Sequence, residues 1–283
     1  DLAHANSLST ARIAGPVVAD GGLPSIGHLR DIVKLGPQAV ADVNRHRRLI
    51  AVSRATRDFY VWQGIDGARC HAVHNGVDLE LFAPRPATGY LQRELGTPAD
   101  VCFVAVIGQI GLRKATDVAL AAARQLTAEM PSVHWLVVGE RTSEKEESRE
   151  FERSVRAIAN EPPLAGRVHF LGVREDVPAL LNECAAVVHA ARQEPLARVL
   201  LEAAASGAAI VATDVGGTGE IFPPGSEGAV LVPPSDAGAI AAALRNLLHK
   251  ESRRTALGRA ARARAVEAFD VRNAAARLIE HYR

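Results

Sequence analysis

From residue 100 to 232, short unbroken apolar runs alternate with stretches whose apolar positions recur every three or four residues. The runs predict strands at Val101–Ile107, His134–Val138, Val168–Leu171, Ala185–Ala191, Ala208–Thr213 and Ala229–Val232. The spaced patterns predict helices at Thr116–Met130, Glu144–Asn160, Glu175–Cys184 and Val199–Ser206. Apolar strands joined by helices imply a parallel sheet covered on both faces, and right-handed crossovers make it doubly wound and Rossmann-like. The first 75 residues carry three or four more strand candidates, at Leu2–Ala5, Ser25–His28, Leu49–Ser53 and Cys70–His74. That is too few for a second complete sheet of this kind. The expected organisation is a partial Rossmann-like domain over 1–75, a complete one over 76–268, and a C-terminal helix from 269 to 283. The boundary is the turn Asn75-Gly76-Val77-Asp78 and the stretch ending Phe82-Ala83-Pro84. The opening Asp1–Asn6 reads like a strand already under way, as if the sequence started part-way along a longer chain.

Composition narrows the class. The chain has 33 Lys+Arg against 32 Asp+Glu, so it offers no electrostatic footprint for nucleic acid. Three scattered cysteines without a CxxC or Cys/His cluster argue against disulfides and structural zinc and suit a reducing, cytoplasmic setting. No apolar run reaches the roughly 18 residues of a membrane span. Arg45-His46-Arg47-Arg48 is the one basic cluster that could touch anionic lipid peripherally, although a solvated patch explains it as well.

In an open parallel sheet, ligands bind beyond the carboxyl ends of the strands. Glycine or polar residues follow five of the six strands there: Gly108-Gln109 with Lys114, Gly139-Glu140, Gly172-Val173-Arg174, Arg192-Gln193-Glu194-Pro195, and Asp214 to Glu220. Glycines let a ligand approach the backbone. Lys114 is one of only four lysines among 33 basic residues. It reads either as a compact cation for a diphosphate or as a solvated helix-start residue. Glu194 stands in the turn before a helix that Pro195 and Leu196 would begin, and Glu202 lies farther along it. Free amides at that terminus suit an anion, and carboxylates on either side suit hydroxyl pairs. A phosphate between two polyols is the shape of a nucleotide-sugar, whereas two unrelated surface glutamates are the plain alternative.

Glu194 to Glu202 has the Glu-x7-Glu spacing of glycosyltransferase family 4, and the chain resembles that family. The likeness extends through Val211-Ala212-Thr213, Val215-Gly216-Gly217 and Glu220-Ile221. It also includes the interdomain Asn75-Gly76-Val77-Asp78 and the phosphate loop Gly108–Lys114. The resemblance implies an α/β GT-B fold and a retaining enzyme that needs no metal or cofactor. Its donor would be a nucleoside-diphosphate sugar, UDP- or GDP-linked, and its acceptor a sugar, a lipid-linked group or a small molecule. It further implies that Glu194 contacts the moving sugar, Glu202 the ribose, and Lys114 the diphosphate. The amides of Leu196, Ala197 and Arg198 would assist, and Gly139 and Gly172–Arg174 would hold the base side. Gln109 replaces a frequent arginine, while Ala115 and Ala197 replace usual glycines, which calls the loop geometry there into question. On the acceptor side, His28 is the candidate catalytic residue, with Arg30 and Asp31 as alternatives for lining the cleft. Ser53 matches a family serine and also reads as a helix cap. An oxidoreductase would require a G-x-G-x-x-G turn, which is missing. A non-catalytic nucleotide-sugar-binding module remains the second reading.

Overall fold

The computed structural model describes all 283 residues as two parallel α/β units. The larger is a six-stranded sheet of β5 (Cys102–Ile107), β6 (Val133–Val138), β7 (Val168–Gly172), β8 (Cys184–His189), β9 (Ile210–Thr213) and β10 (Val230–Val232). Its spatial order is β10-β9-β8-β5-β6-β7, all parallel. The reversal between β5 and β8 creates the crevice where such sheets take ligands.

The apolar runs are unbroken because both faces are buried. Val104, Val106, Trp135, Val137, Ala186, Val188 and Val211 turn to one face, toward α5 (Thr116–Glu129), α6 (Glu146–Ala159) and α10 (Ala237–His249). Their strand neighbours Val187, Ile210 and Ala212 turn to the other, toward α8 (Arg198–Ala205) and α11 (Glu251–Ala268). Alternate Cβ atoms on a strand point to opposite faces, so every position must be apolar. Buried Trp135 keeps its indole N–H satisfied through the Thr127 hydroxyl at 3.2 Å.

The first unit is a four-stranded parallel sheet, β1 (Ala3–Ala5), β2 (Ser25–Leu29), β3 (Arg48–Ala51) and β4 (Cys70–Ala72), paired in sequence order. Successive right-handed crossovers in one direction put α1 (Leu8–Asp20), α2 (Pro37–Val43) and α3 (Arg54–Trp62) on a single face. The opposite face is covered by α12 (Val271–Glu280): Leu278 packs on Ile26, Ile50 and Val73, and the Tyr282 hydroxyl meets His4 Nδ1 at 2.6 Å. The chain returns to this face beside the interdomain turn, where Val77 N–H donates to Phe269 O and Val271 N–H to Val77 O. A Cβ on Gly76 would lie 2.4 Å from Val271 Cα, so only glycine fits that approach.

Most strand ends shift by one or two residues from the sequence reading. The run at Ala185–Ala191 leaves the ladder after His189, because Ala191 O is taken by the Thr213 hydroxyl at 2.5 Å. The run beginning at Ala208 joins its sheet only at Ile210, because Ala208 N–H closes the end of α8 on Ala203 O. The basic cluster at 45–48 is dispersed. His46 is buried, with Nδ1 on Ser25 Oγ and Nε2 on Ala11 O; Arg45 pairs with Asp20, and Arg48 reaches His281 O. No helix is long and apolar enough to cross a membrane.

Candidate donor-binding site

Glu194 is the centre of the site. It follows β8, and its side chain is only 6% exposed. Its Oε2 receives Lys114 Nζ at 2.5 Å, His189 Nε2 at 3.3 Å and an Arg113 guanidinium N–H at 3.4 Å. Burial by itself would raise the Glu194 pKa, but the His189 hydrogen bond and the Lys114 charge outweigh it and hold the group at about 2. Burial pushes His189 below the usual imidazole range, although the bond to Glu194 pulls the other way. With His189 neutral, two cations face one carboxylate, and the cluster has a net positive charge that suits an anion.

The backbone around Glu194 is fixed from the next strand. Gly216, at φ +51°, lies so close that a Cβ there would be 1.9 Å from Glu194 O. Gly217 N–H donates to that same oxygen at 3.1 Å. Pro195 O accepts the Ser53 hydroxyl at 2.7 Å from the other unit, while Ser53 Oγ caps α3 by accepting from Thr56 N–H at 3.0 Å. Ser53 is therefore both a helix cap and a bridge between units. A second bridge comes from α9 (Thr218–Ile221): Glu220 accepts from the Arg54 and Ala55 amides and from His74 Nε2, at 2.8–2.9 Å. It supplies a carboxylate at the N-terminus of α3, where the helix dipole favours one.

Beyond Pro195, the amides of Leu196, Ala197 and Arg198 donate to no acceptor in the chain. Glu202 lies one turn into α8, mostly buried, with one long contact to Arg198 at 3.5 Å. Burial raises its pKa, only partly offset by Arg198. A desolvated carboxylate with spare acceptor capacity is suited to hydroxyl donors. Arg198 itself points outward and is 71% exposed.

The loop after β5 retains its shape despite the two alanines. Ala115 adopts φ +53°, the left-handed conformation that glycine takes freely, and is fully buried there. Ala197 lies at φ −70°, ψ 104°, which any residue adopts. Gly108 takes φ +143°, and a Cβ on Gly139 would be 2.2 Å from Gly108 O, so the two loops nest closely. Gln109 is turned to the Thr142 hydroxyl. At the base side, Gly172 has φ +64° and Val173 is exposed, while Arg174 is locked by paired contacts to Glu94 and Asp176. Its guanidinium holds the loop rather than facing open space.

His28 is not gathered with Glu194 and Lys114. It lies on the α12 face of the first sheet, 6% exposed, stacked on His4 at 5.5 Å, with neither ring nitrogen bonded. Burial, reinforced by the Arg30 charge, pushes its pKa down to about 3. It lines a cavity of about 440 Å³ with Asn6, Arg30, His74 and Asn75. Arg30 is tied there to Asn6 and Asn75 at 2.9 and 3.2 Å; Asp31 is exposed and is not part of the lining. Sequence reasoning missed Arg113 and His189. Arg113 directly precedes Lys114, and His189 is a polar end to an apolar strand, the one signal that could have drawn attention to it.

Residues 91–264 match the family model described as glycosyl transferases group 1. The D-inositol 3-phosphate glycosyltransferases of Mycobacterium tuberculosis and of Kineococcus radiotolerans are 31% and 29% identical across the whole chain, which spans 56% and 66% of their lengths. Among solved structures, Anabaena Alr3699/HepE in complex with UDP-glucose superposes with a TM-score of 0.90 at 25% identity, over 99% of this chain and 78% of that one. The sucrose-phosphate synthase of Thermosynechococcus elongatus shares the fold at a TM-score of 0.85 and 23% identity, over 99% of this chain and 72% of its own.

Proposed function

The chain belongs to the group 1 glycosyl transferases, with a GT-B architecture, and on that basis we propose that it moves a sugar from a nucleoside-diphosphate sugar to an acceptor hydroxyl with retention of configuration. The observation that carries this reading is the convergence of Lys114, Arg113 and His189 on Glu194, beside three amides without acceptors. The complexes of Alr3699/HepE with UDP and glucose and with UDP-glucose support a uridine donor.

In this reading the bond from the anomeric carbon to the β-phosphate oxygen breaks, and its electron pair leaves with the diphosphate. Lys114, Arg113 and the amides of Leu196, Ala197 and Arg198 stabilise that developing charge. Arg113 supplies the second cation that Gln109 does not. Glu194, kept ionised, accepts hydrogen bonds from hydroxyls of the moving sugar, and Glu202 accepts them from the ribose. The base rests on the backbone at Gly172 and Val173, with Arg174 holding that loop. The acceptor hydroxyl passes its proton to the departing β-phosphate oxygen as its own oxygen bonds to the anomeric carbon from that same side, and His28 and Arg30 line the wall that receives the acceptor. No metal or cofactor has a role in this scheme, and the chain would work on cytoplasmic donor.

The test separates the two glutamates. Glu202→Gln should weaken UDP and UDP-glucose binding alike, because both carry the ribose. Glu194→Gln should spare UDP affinity but weaken the intact donor and slow single-turnover cleavage of its glycosidic bond. Calorimetry with UDP, GDP and UDP-glucose measures the first, and quenched-flow product analysis the second. Equal loss of UDP affinity in both variants would overturn the assignment. Donor binding without any turnover would leave a nucleotide-sugar-binding module instead.

A further inference from the structure

A second cationic cavity lies at the amino ends of the larger sheet's strands, opposite the donor side, where β8 begins at Cys184 and the chain enters β9 through Ala208. It has a volume of about 380 Å³ and is lined by Arg85, Arg254, Arg259 and Arg262, with no acidic residue in its wall. That composition is unlike the chain as a whole, whose cations and carboxylates balance to within one charge. Arg85, Arg259 and Arg262 form no ion pair, and Arg254 has only the exposed Glu251 at 4.0 Å. Arg262 spends its guanidinium on the carbonyls of Phe82, Ala205 and Leu79, at 2.6–3.1 Å, so it carries uncompensated charge as well as holding the wall.

A second observation points the same way. Ser206, 5% exposed, lines this cavity, and its hydroxyl has no hydrogen-bond partner. Buried hydroxyls are normally satisfied, and an orphan costs about as much as a lost hydrogen bond. The cavity's shape is built in by glycine: a Cβ on Gly258 of α11 would be 2.1 Å from Gly207 O, so α11 presses onto the α8–β9 turn and brings Arg254 and Arg262 toward Ser206.

We propose that this cavity is a second anion site that takes a phosphate group, presented by a small phosphorylated molecule or by a lipid headgroup. Arg254 and Arg259 supply the charge, and Ser206 donates its unused hydroxyl. The site is independent of the donor site and of the reading given to it.

Calorimetric titration with inorganic phosphate on a Lys114→Ala, Arg113→Gln background removes both donor-site cations and leaves this cavity as the cationic site under test. Saturable binding is expected to persist there. Adding Arg254→Gln and Arg259→Gln should weaken it at least about tenfold, the loss expected for a charge-assisted contact. Ser206→Ala should weaken phosphate while raising the melting temperature in phosphate-free buffer, because an unpartnered buried hydroxyl is removed; a purely structural serine would not give both. Arg259→Gln alone, at an exposed side chain without contacts, provides the variant that must fold. Sedimentation with phosphatidic acid vesicles against phosphatidylcholine vesicles then identifies the source: Arg259-dependent capture by the former indicates a headgroup, and capture by neither, with phosphate still bound, indicates a small molecule. No saturable phosphate binding, or equal binding in the arginine variants, would overturn the proposal.

Discussion

His28 makes a quantitative demand on stability. Its ring is 6% exposed, neither nitrogen is bonded, and its pKa is held at about 3 against 6.5 for a free imidazole. Between those values the unfolded chain binds a proton that the folded chain refuses, so stability is lost as pH falls from 6.5 toward 3. At pH 5 the unfolded group lies about 1.5 units above the solution pH, which corresponds to a penalty of about 2 kcal/mol; at pH 7.5 the penalty is close to zero. His28→Leu removes the titrating group and keeps the position apolar. Urea unfolding of both proteins at pH 7.5 and pH 5 gives the double difference. The variant should lose about 2 kcal/mol less on acidification. His4, stacked on the ring, is also depressed by burial and by the Arg30 charge, and remains in both proteins, so its share largely cancels. A double difference near zero would refute the buried, neutral ring and free His28 to act as a proton carrier.

The glycine turns and the interdomain bridge yield three further outcomes. Gly216→Ala should destabilise by about 3 kcal/mol or more in thermal unfolding and weaken UDP binding, because its Cβ would collide with Glu194 O at 1.9 Å in a left-handed backbone. Ala115→Gly should be neutral to within about 1 kcal/mol in the same assay, since relief of the left-handed cost of about 1 kcal/mol offsets the lost buried methyl. Ser53→Ala should cost about 1–3 kcal/mol, because Pro195 O loses its donor and α3 its cap, and Ser53→Thr should recover part of it in urea unfolding.

The larger sheet was legible because a strand covered on both faces is apolar at most positions, and five of the six runs ended at glycine or a polar residue. The short α4 (Tyr90–Leu95) had no such signature: six residues between Gly89 and Gly96, both left-handed, leave no room for a periodic pattern. His46 illustrates the opposite failure. Read along the chain it belongs to a basic run; in the fold it is a core residue whose two nitrogens bond to partners 21 and 35 positions away. The candidate site was legible through its motifs, because Glu194 with Glu202, and Lys114 with Gly108, each carry spacing that their own strand–turn–helix imposes. Arg113 and His189 carry no such spacing signature, and no local pattern encodes the 81-position separation of Arg113 and Glu194.

That long-range wiring explains why the two units share one site. Pro195 O lies between Glu194 and the free amides, and the groups that hold it, Ser53 and Thr56, belong to the N-terminus of α3 in the other unit. The same terminus is capped by Glu220 from α9, immediately after the Gly216-Gly217 turn that fixes Glu194 O. One helix end of the first sheet is thus clamped to two successive loops of the second, each touching the Glu194 turn. A change in the angle between the units must pull on Pro195 before it reaches any ligand. Interactions of this kind position a group without contacting substrate, so their loss should fall on turnover more heavily than on nucleotide affinity. The interdomain contacts are for that reason part of how the donor-side turn is held, and not merely what keeps two domains together.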